Sequence, residues 1–192
     1  MMERVGEYPL AAGSLPVLAP GKIGMWWFLA SEIMVFGGLI VSFVVFRLGG
    51  NGWSAETAHL QATIGVVNTL VLLTSSLTVV QAFAAAEAGA PRTARLFLGL
   101  TLLGGLLFLG LKATEYTTEI RAGFTPAGGI FWSFYYAMTG LHALHVLAGV
   151  AVNAVLFASA RLRTPDRLEL AGLYWHFVDV VWIFLFPLLY LT

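Results

Sequence analysis

Two pairs of ionisable side chains lie inside long apolar stretches of this sequence. His142 and His145 are three residues apart in TGLHALHVLAG, and His176 and Asp179 are three residues apart in YWHFVDVVW. In a helix, this spacing places both members of a pair on one face. Imidazole and carboxylate groups bind metals, carry protons or make hydrogen bonds between helices, and these residues are therefore the first candidates for a functional site.

Membrane-spanning helices must position these residues. The 192 residues are 59% hydrophobic and 10% charged, and the mean hydropathy is +0.86, which is typical of an integral membrane protein and excludes a soluble domain. A helix crosses a bilayer in about 20 residues. Five apolar runs reach this length, at residues 23–46, 61–86, 96–117, 130–160 and 172–191. We expect an all-α, polytopic membrane protein with a bundle of five transmembrane helices, forming a single membrane domain over residues 1–192 with a tail over residues 1–21.

Composition excludes several kinds of site and partner. The chain has no cysteine, which rules out disulfides, thiolate metal sites and c-type haem attachment. The formal net charge is +0 at pH 7, so there is no electrostatic case for a nucleic-acid partner.

Lysine and arginine predict the orientation, because cytoplasmic loops accumulate basic residues. The side of the predicted bundle that holds the N-terminus carries Arg4, Lys22, Arg92, Arg95, Arg161, Arg163 and Arg167. The opposite side carries Arg47, Arg121 and, at a helix end, Lys112. We therefore expect the N-terminus inside and the C-terminus outside.

Glu32 is a fifth ionisable residue in an apolar run, and all five fall at a similar depth. Counted along the predicted spans at about 1.5 Å per residue, they lie on the inner half of the membrane. A charged group near the bilayer centre costs at least about 2.5 kcal/mol, so mutual pairing is favourable. We expect a proton-handling or structural polar cluster that joins Glu32, His142, His145, His176 and Asp179.

Each of these candidates has more than one interpretation. Glu32 is either a protonated acid that bonds a neighbouring helix or a group that handles protons. For His142 and His145 the sequence favours neutral imidazoles that bond between helices over metal or haem ligation. A haem would need histidines on two helices, which only His142 or His145 together with His176 supplies. A dimetal site is not expected, because Asp179 follows His176 instead of preceding it as in a Glu-x-x-His motif.

Two further polar features lie in the predicted spans. Lys112 and Glu115 are three residues apart near the outer end of the third span, where a snorkelling, helix-end ion pair is the simplest interpretation. The second span is rich in polar residues, which favours hydrogen bonding between helices over a transport path. These residues are Gln61, Asn68, Thr74, Ser75, Ser76, Thr78 and Gln81.

Four segments resemble, in the same order, motifs of subunit III of the haem–copper terminal oxidases. They are GMWWFLASEIMVFGG, FLGLKATEY, FYYAMTGLHALHVLAG and YWHFVDVVWIFLFPLLYL. The resemblance covers nearly all of the membrane-spanning part, and it implies that seven residues occupy characteristic positions of the family: Glu32, Glu115, Tyr116, His142, His145, His176 and Asp179. Five spans resemble the shorter bacterial form, which lacks the first two of seven helices. In the long form those two helices make one arm of a V-shaped lipid-binding cleft.

The resemblance implies an accessory chain in a bacterial cytoplasmic membrane. It would have no catalytic residue, metal or other redox centre of its own, and it would bind subunit I, which carries haems and copper, alongside subunit II. The whole complex would reduce dioxygen to water with electrons from cytochrome c or quinol and pump protons. This subunit would bind phospholipid, protect the catalytic subunit during turnover and support proton uptake on the inner side.

Three other functions remain open at this point. A proton-coupled transporter would use Glu32 and Asp179 for the coupling proton, although the sequence shows no broken helix or inverted repeat. A small cytochrome would hold one haem between the fourth and fifth spans. The accessory subunit of a nitric oxide reductase resembles subunit III in fold and in much of its motif set.

Overall fold

The computed structural model describes residues 20–50 and 53–191. Most of the predicted tail, residues 1–19, lies outside this part. The helices are α1 (Pro20–Leu48), α2 (Ser54–Thr57), α3 (Ala62–Glu87), α4 (Pro91–Arg121), α5 (Ile130–Ala158) and α6 (Pro165–Tyr190). The described residues contain no strand, and all helices except the short α2 are long and apolar enough to cross a membrane. The predicted all-α, multi-pass membrane fold with five spanning helices is confirmed.

Two helices begin five or more residues before their predicted starts. α6 begins at Pro165, seven residues before the predicted start. Its first turns contain charged residues that lie before the predicted fifth span. Proline suits the first turn of a helix, and Asp166 there complements the positive end of the helix dipole. α4 likewise begins early, at Pro91. In both helices, charged first turns therefore precede the apolar segment.

Close helix packing depends on a few glycines. A Cβ atom on Gly105 would lie 2.6 Å from Cη2 of Trp175, and one on Gly149 would lie 2.8 Å from Cε3 of the same ring. On Gly104 it would lie 2.7 Å from Cβ of Ser75. Small residues allow helices to approach closely where lipid supplies no hydrophobic driving force. α4 and α5 therefore close on the buried indole of Trp175, while α4 also packs directly on α3.

The helices are unequally attached to the bundle. α3 packs against α4 and α6, and α5 packs against α4 and α6. α1 lies at the edge of the bundle, against α5 and α6. Only 17% of the residues in its apolar segment are buried, compared with 50% in that of α6. The core therefore centres on α6, and α1 has one narrow attached face.

Candidate functional site

The clearest contact among the predicted site residues joins α1 to α5. Nε2 of His145 lies 3.1 Å from Oε2 of Glu32, and these side chains are only 14% and 17% exposed. The other ring nitrogen of His145, Nδ1, lies 2.8 Å from the carbonyl oxygen of Leu141. Phe36 contacts the ring at an edge, with centroids 5.2 Å apart, and the hydroxyl of Tyr174 donates to the carbonyl of His145 at 3.0 Å. Both nitrogens and one edge of the imidazole thus contact neighbouring groups.

His142 has a different environment, although it lies one turn away on the same helix. Its ring stacks on Trp182, with centroids 5.2 Å apart, and meets Phe108 edge-on at 5.4 Å. Both ring nitrogens are buried and have no hydrogen-bond partner in the described part of the chain. His142 is therefore packed among aromatic rings of α4 and α6.

The α6 pair faces α3. Nδ1 of His176 lies 2.5 Å from Oγ of Ser76. Asp179 is 3% exposed, and neither of its carboxylate oxygens has a hydrogen-bond partner among the described residues. No hydrogen bond or ion pair between described residues joins His176 or Asp179 to the Glu32–His145 pair, so the single five-residue cluster stays a prediction.

Hydrogen bonds between side chains also join α3 to α6 and α4. Nε1 of Trp182 donates to Oγ1 of Thr69, and Nε1 of Trp175 donates to Oγ of Ser75, both at 3.0 Å. The hydroxyls of Thr78 and Thr101 lie 2.8 Å apart. Much of the polar character of α3 is therefore used in contacts between helices.

Lys112 and Glu115 form a buried network, and the snorkelling interpretation of this pair is wrong. Their side chains are 3% and 1% exposed, with Nζ 3.2 Å from Oε2, and α4 continues for more than two turns beyond Lys112. Nζ also donates to the hydroxyls of Tyr190 at 2.7 Å and Tyr135 at 3.3 Å. Tyr135 donates to Oε1 of Glu115 at 2.7 Å, and Tyr190 donates to the same oxygen. Two tyrosines from other helices thus enclose the pair within the protein.

An apolar cleft of about 410 Å³ opens between α1, α5 and α6. Phe28 and Met25 of α1 form one wall, and Val152 of α5 contributes to the opposite wall. Arg167, in the first turn of α6, is the charged residue of the lining. The cleft thus combines an apolar interior with a cation at one end.

Comparison with known proteins decides the family. The family described as "Cytochrome c oxidase subunit III" matches residues 11–192. The chain is 36% identical over 177 residues to cytochrome c oxidase subunit 3 of Bacillus subtilis, covering 88% of this chain and 84% of the relative. It is 37% identical over 177 residues to cytochrome c oxidase subunit 3 of Corynebacterium diphtheriae, covering 88% and 86%.

This chain belongs to the cytochrome c oxidase subunit III family. The predicted resemblance to haem–copper oxidase subunit III is thereby confirmed. Relatives in the family differ in their named electron donor. The subunit 3 of the cytochrome bo(3) ubiquinol oxidase of Pseudomonas aeruginosa is 32% identical over 173 residues, covering 88% of this chain and 83% of the relative.

Sequence reasoning missed several residues of the subunit III core. Tyr135 and Tyr190 complete the Lys112–Glu115 network, and Trp182 covers His142. Two of them carried a usable signal. Tyr135 precedes His142 by seven residues and Trp182 follows Asp179 by three, which places each on the same helix face as a predicted candidate. Tyr190, the last residue of α6, lies outside these short spacings.

Proposed function

We propose that this chain is the non-catalytic subunit III of a haem–copper terminal oxidase in a bacterial cytoplasmic membrane. It binds to the side of subunit I, which carries the haems and copper, in a complex with subunit II. The complex reduces dioxygen to water with electrons from cytochrome c or quinol and pumps protons. The family match over residues 11–192 is the observation that carries this proposal.

The histidine contacts support a chain without a haem of its own. A haem between α5 and α6 would need free ring nitrogens facing each other. Both nitrogens of His145 contact protein oxygens, and Nδ1 of His176 contacts Ser76. The described residues contain no group of three or more His, Cys, Asp or Glu that could hold a metal ion. His145, with both ring nitrogens engaged, offers no free nitrogen to a haem iron.

The cleft supports phospholipid binding. Its apolar walls suit an acyl chain, and the guanidinium of Arg167 suits a phosphate. In the proposed orientation, with the N-terminus inside, Arg167 lies at the cytoplasmic surface. We expect a bound phospholipid there, with an acyl chain between α1, α5 and α6 and its phosphate beside Arg167.

A role in proton uptake is the remaining part of the proposal. Glu32 and Asp179 are carboxylates within spanning helices, where ionisable groups are rare and mark functional sites. Of these two carboxylates, that of Glu32 pairs with a histidine among the described residues. The subunit sustains uptake by keeping these groups near the catalytic subunit and by stabilising that subunit during turnover.

A reduced-minus-oxidised visible spectrum tests the proposal. The gently extracted complex is measured first, together with its oxygen consumption, and the chain is measured again after separation from its partners. We expect the haem signal and oxygen consumption in the complex and no haem in the separated chain. Haem retained by the separated chain would overturn the non-catalytic role, and a complex that reduces nitric oxide and not oxygen would assign it to a nitric oxide reductase.

A further inference from the structure

The attached face of α1 has a seven-residue repeat. Its three buried side chains are Leu29, Phe36 and Phe43, each seven residues from the next. Other positions on the same face are partly buried, and they include Lys22, Met25, Glu32 and Leu39. α1 therefore packs through an alternating three- and four-residue seam of the kind found in coiled coils.

Two polar residues interrupt this seam, and each has one partner on another helix. Nζ of Lys22 donates to Oε1 of Glu169 on α6 at 2.7 Å, and Glu32 contacts His145 on α5. A polar residue in an otherwise apolar seam fixes the register of a helix, because any slip leaves it without its partner. A slip of one turn displaces a residue by about 5.4 Å, which breaks both contacts.

The partners of His145 determine how many protons the Glu32 contact holds. The carbonyl of Leu141 only accepts hydrogen bonds, so Nδ1 carries a hydrogen. The contact between Nε2 and Oε2 then needs one further proton, on either the carboxyl or the imidazole. Both arrangements have zero net charge. A neutral pair avoids most of the cost of a charge within the bilayer.

We propose that Glu32 and His145 share one proton as a net-neutral pair, and that this pair sets the register of α1 against α5. The two are positioning residues, since they act by holding a helix in place. α1 supplies Met25 and Phe28 to the cleft between α1, α5 and α6, so its register also sets the shape of that cleft. The inference rests on contacts within this chain and needs neither the oxidase activity nor bound lipid.

Disulfide cross-linking in the full chain, expressed in the membrane with its partners, measures the register. A Cβ atom on Gly21 would lie 3.4 Å from Cδ1 of Leu170, and the chain has no cysteine of its own. Gly21→Cys with Leu170→Cys therefore reports the native position of α1 against α6. Lys22→Met is added to this parent, so that the Lys22–Glu169 pair does not hold the register alone.

Three variants of this parent separate the outcomes. Glu32→Gln keeps a donor for Nε2 of a neutral His145 and should cross-link like the parent. Glu32→Ala leaves a buried nitrogen unpaired, and the cross-linked fraction should fall by about tenfold at matched expression. Ser31→Ala is the control, because Ser31 is exposed and its hydroxyl donates to the carbonyl of Phe28 in its own helix.

Each alternative result is informative. Equal cross-linking in all variants would overturn the register role of the pair. Loss in both Glu32 variants would show that a hydrogen bond to Nε2, which glutamine can also make, does not hold the register, and would overturn the role of the net-neutral pair. Isotope-edited infrared spectroscopy adds an independent readout. The carboxyl band of Glu32 should disappear in Glu32→Gln and keep its position in Ser31→Ala. These outcomes do not depend on whether the complex reduces oxygen, so failure here leaves the proposed function untouched.

Discussion

The ammonium of Lys112 lies 2.7 Å from the hydroxyl of Tyr190, 78 residues further along the chain. This contact ties the last third of α4 to the last residue of α6. Glu115 accepts from the same hydroxyl, so an ion pair within one helix becomes a junction between helices. Four aromatic rings lie 5.0 to 5.4 Å from the ammonium, which adds cation–π attraction.

Lys112→Met should strongly destabilise the chain. Removing one member of a buried ion pair leaves the other charge uncompensated, which costs about 3 to 5 kcal/mol. The free energy of unfolding in detergent is the measurement. Lys22→Met is the matched control, because the Lys22 and Glu169 side chains are 31% and 32% exposed and such pairs contribute about 0 to 1 kcal/mol. An equal loss in both variants would contradict the importance of burial.

Glu32→Ala should disturb assembly or stability during turnover more than the initial rate of oxygen consumption. Glu32 contacts His145 of this chain, and the proposed function places the redox centres in subunit I. The recovery of complex and the decay of its activity over repeated turnover are compared with Ser31→Ala. Abolished oxygen reduction with a normal haem content would show that Glu32 acts in the reaction itself.

Gly149→Ala should destabilise the bundle by about 1 to 3 kcal/mol, the usual range for overpacking. The added methyl group would meet the fully buried ring of Trp175 at 2.8 Å. Gly110→Ala makes the same change on α4, where nothing lies within 4 Å of the new atom, and should be neutral or stabilising because alanine favours helix. The thermal unfolding midpoints of the two variants, compared with that of the unchanged chain, test this prediction.

The Trp182–Thr69 hydrogen bond should contribute modestly. Side-chain hydrogen bonds between membrane helices average about 0.6 kcal/mol in double-mutant cycles. A cycle of Trp182→Phe and Thr69→Val, with unfolding free energies for all four chains, isolates this contact from the packing of Trp182 on His142. A coupling energy near zero would mean that the indole is held by its aromatic neighbours alone.

The predicted orientation, with the N-terminus inside, is tested with single cysteines in a chain that has none. Ala127, between α4 and α5, and Ala160, between α5 and α6, are both exposed. A maleimide that does not cross membranes should label Ala127→Cys on intact spheroplasts and Ala160→Cys only after the membrane is opened. The reverse pattern would invert the orientation.

The number and type of the spans could be predicted from sequence because apolar length is a local property. The start of α6 could not, since Asp166, Arg167 and Glu169 read as a charged loop although the helix dipole and Pro165 stabilise a helical first turn there. The i,i+3 spacing of Lys112 and Glu115 predicted their contact. Their burial depends on Tyr135 and Tyr190, which only the tertiary fold brings to α4.

The place of α1 in the bundle has a consequence for the order of events during synthesis. α1 emerges from the ribosome first, but α5 and α6, the helices on which it packs, emerge last. His145 is made 113 residues after Glu32, so the carboxyl enters the membrane long before its partner exists. α1 is also the most apolar of the five spans. That surplus lets it be inserted while it still carries an unpaired acid, and α1 packs against the bundle only after α5 and α6 have been made.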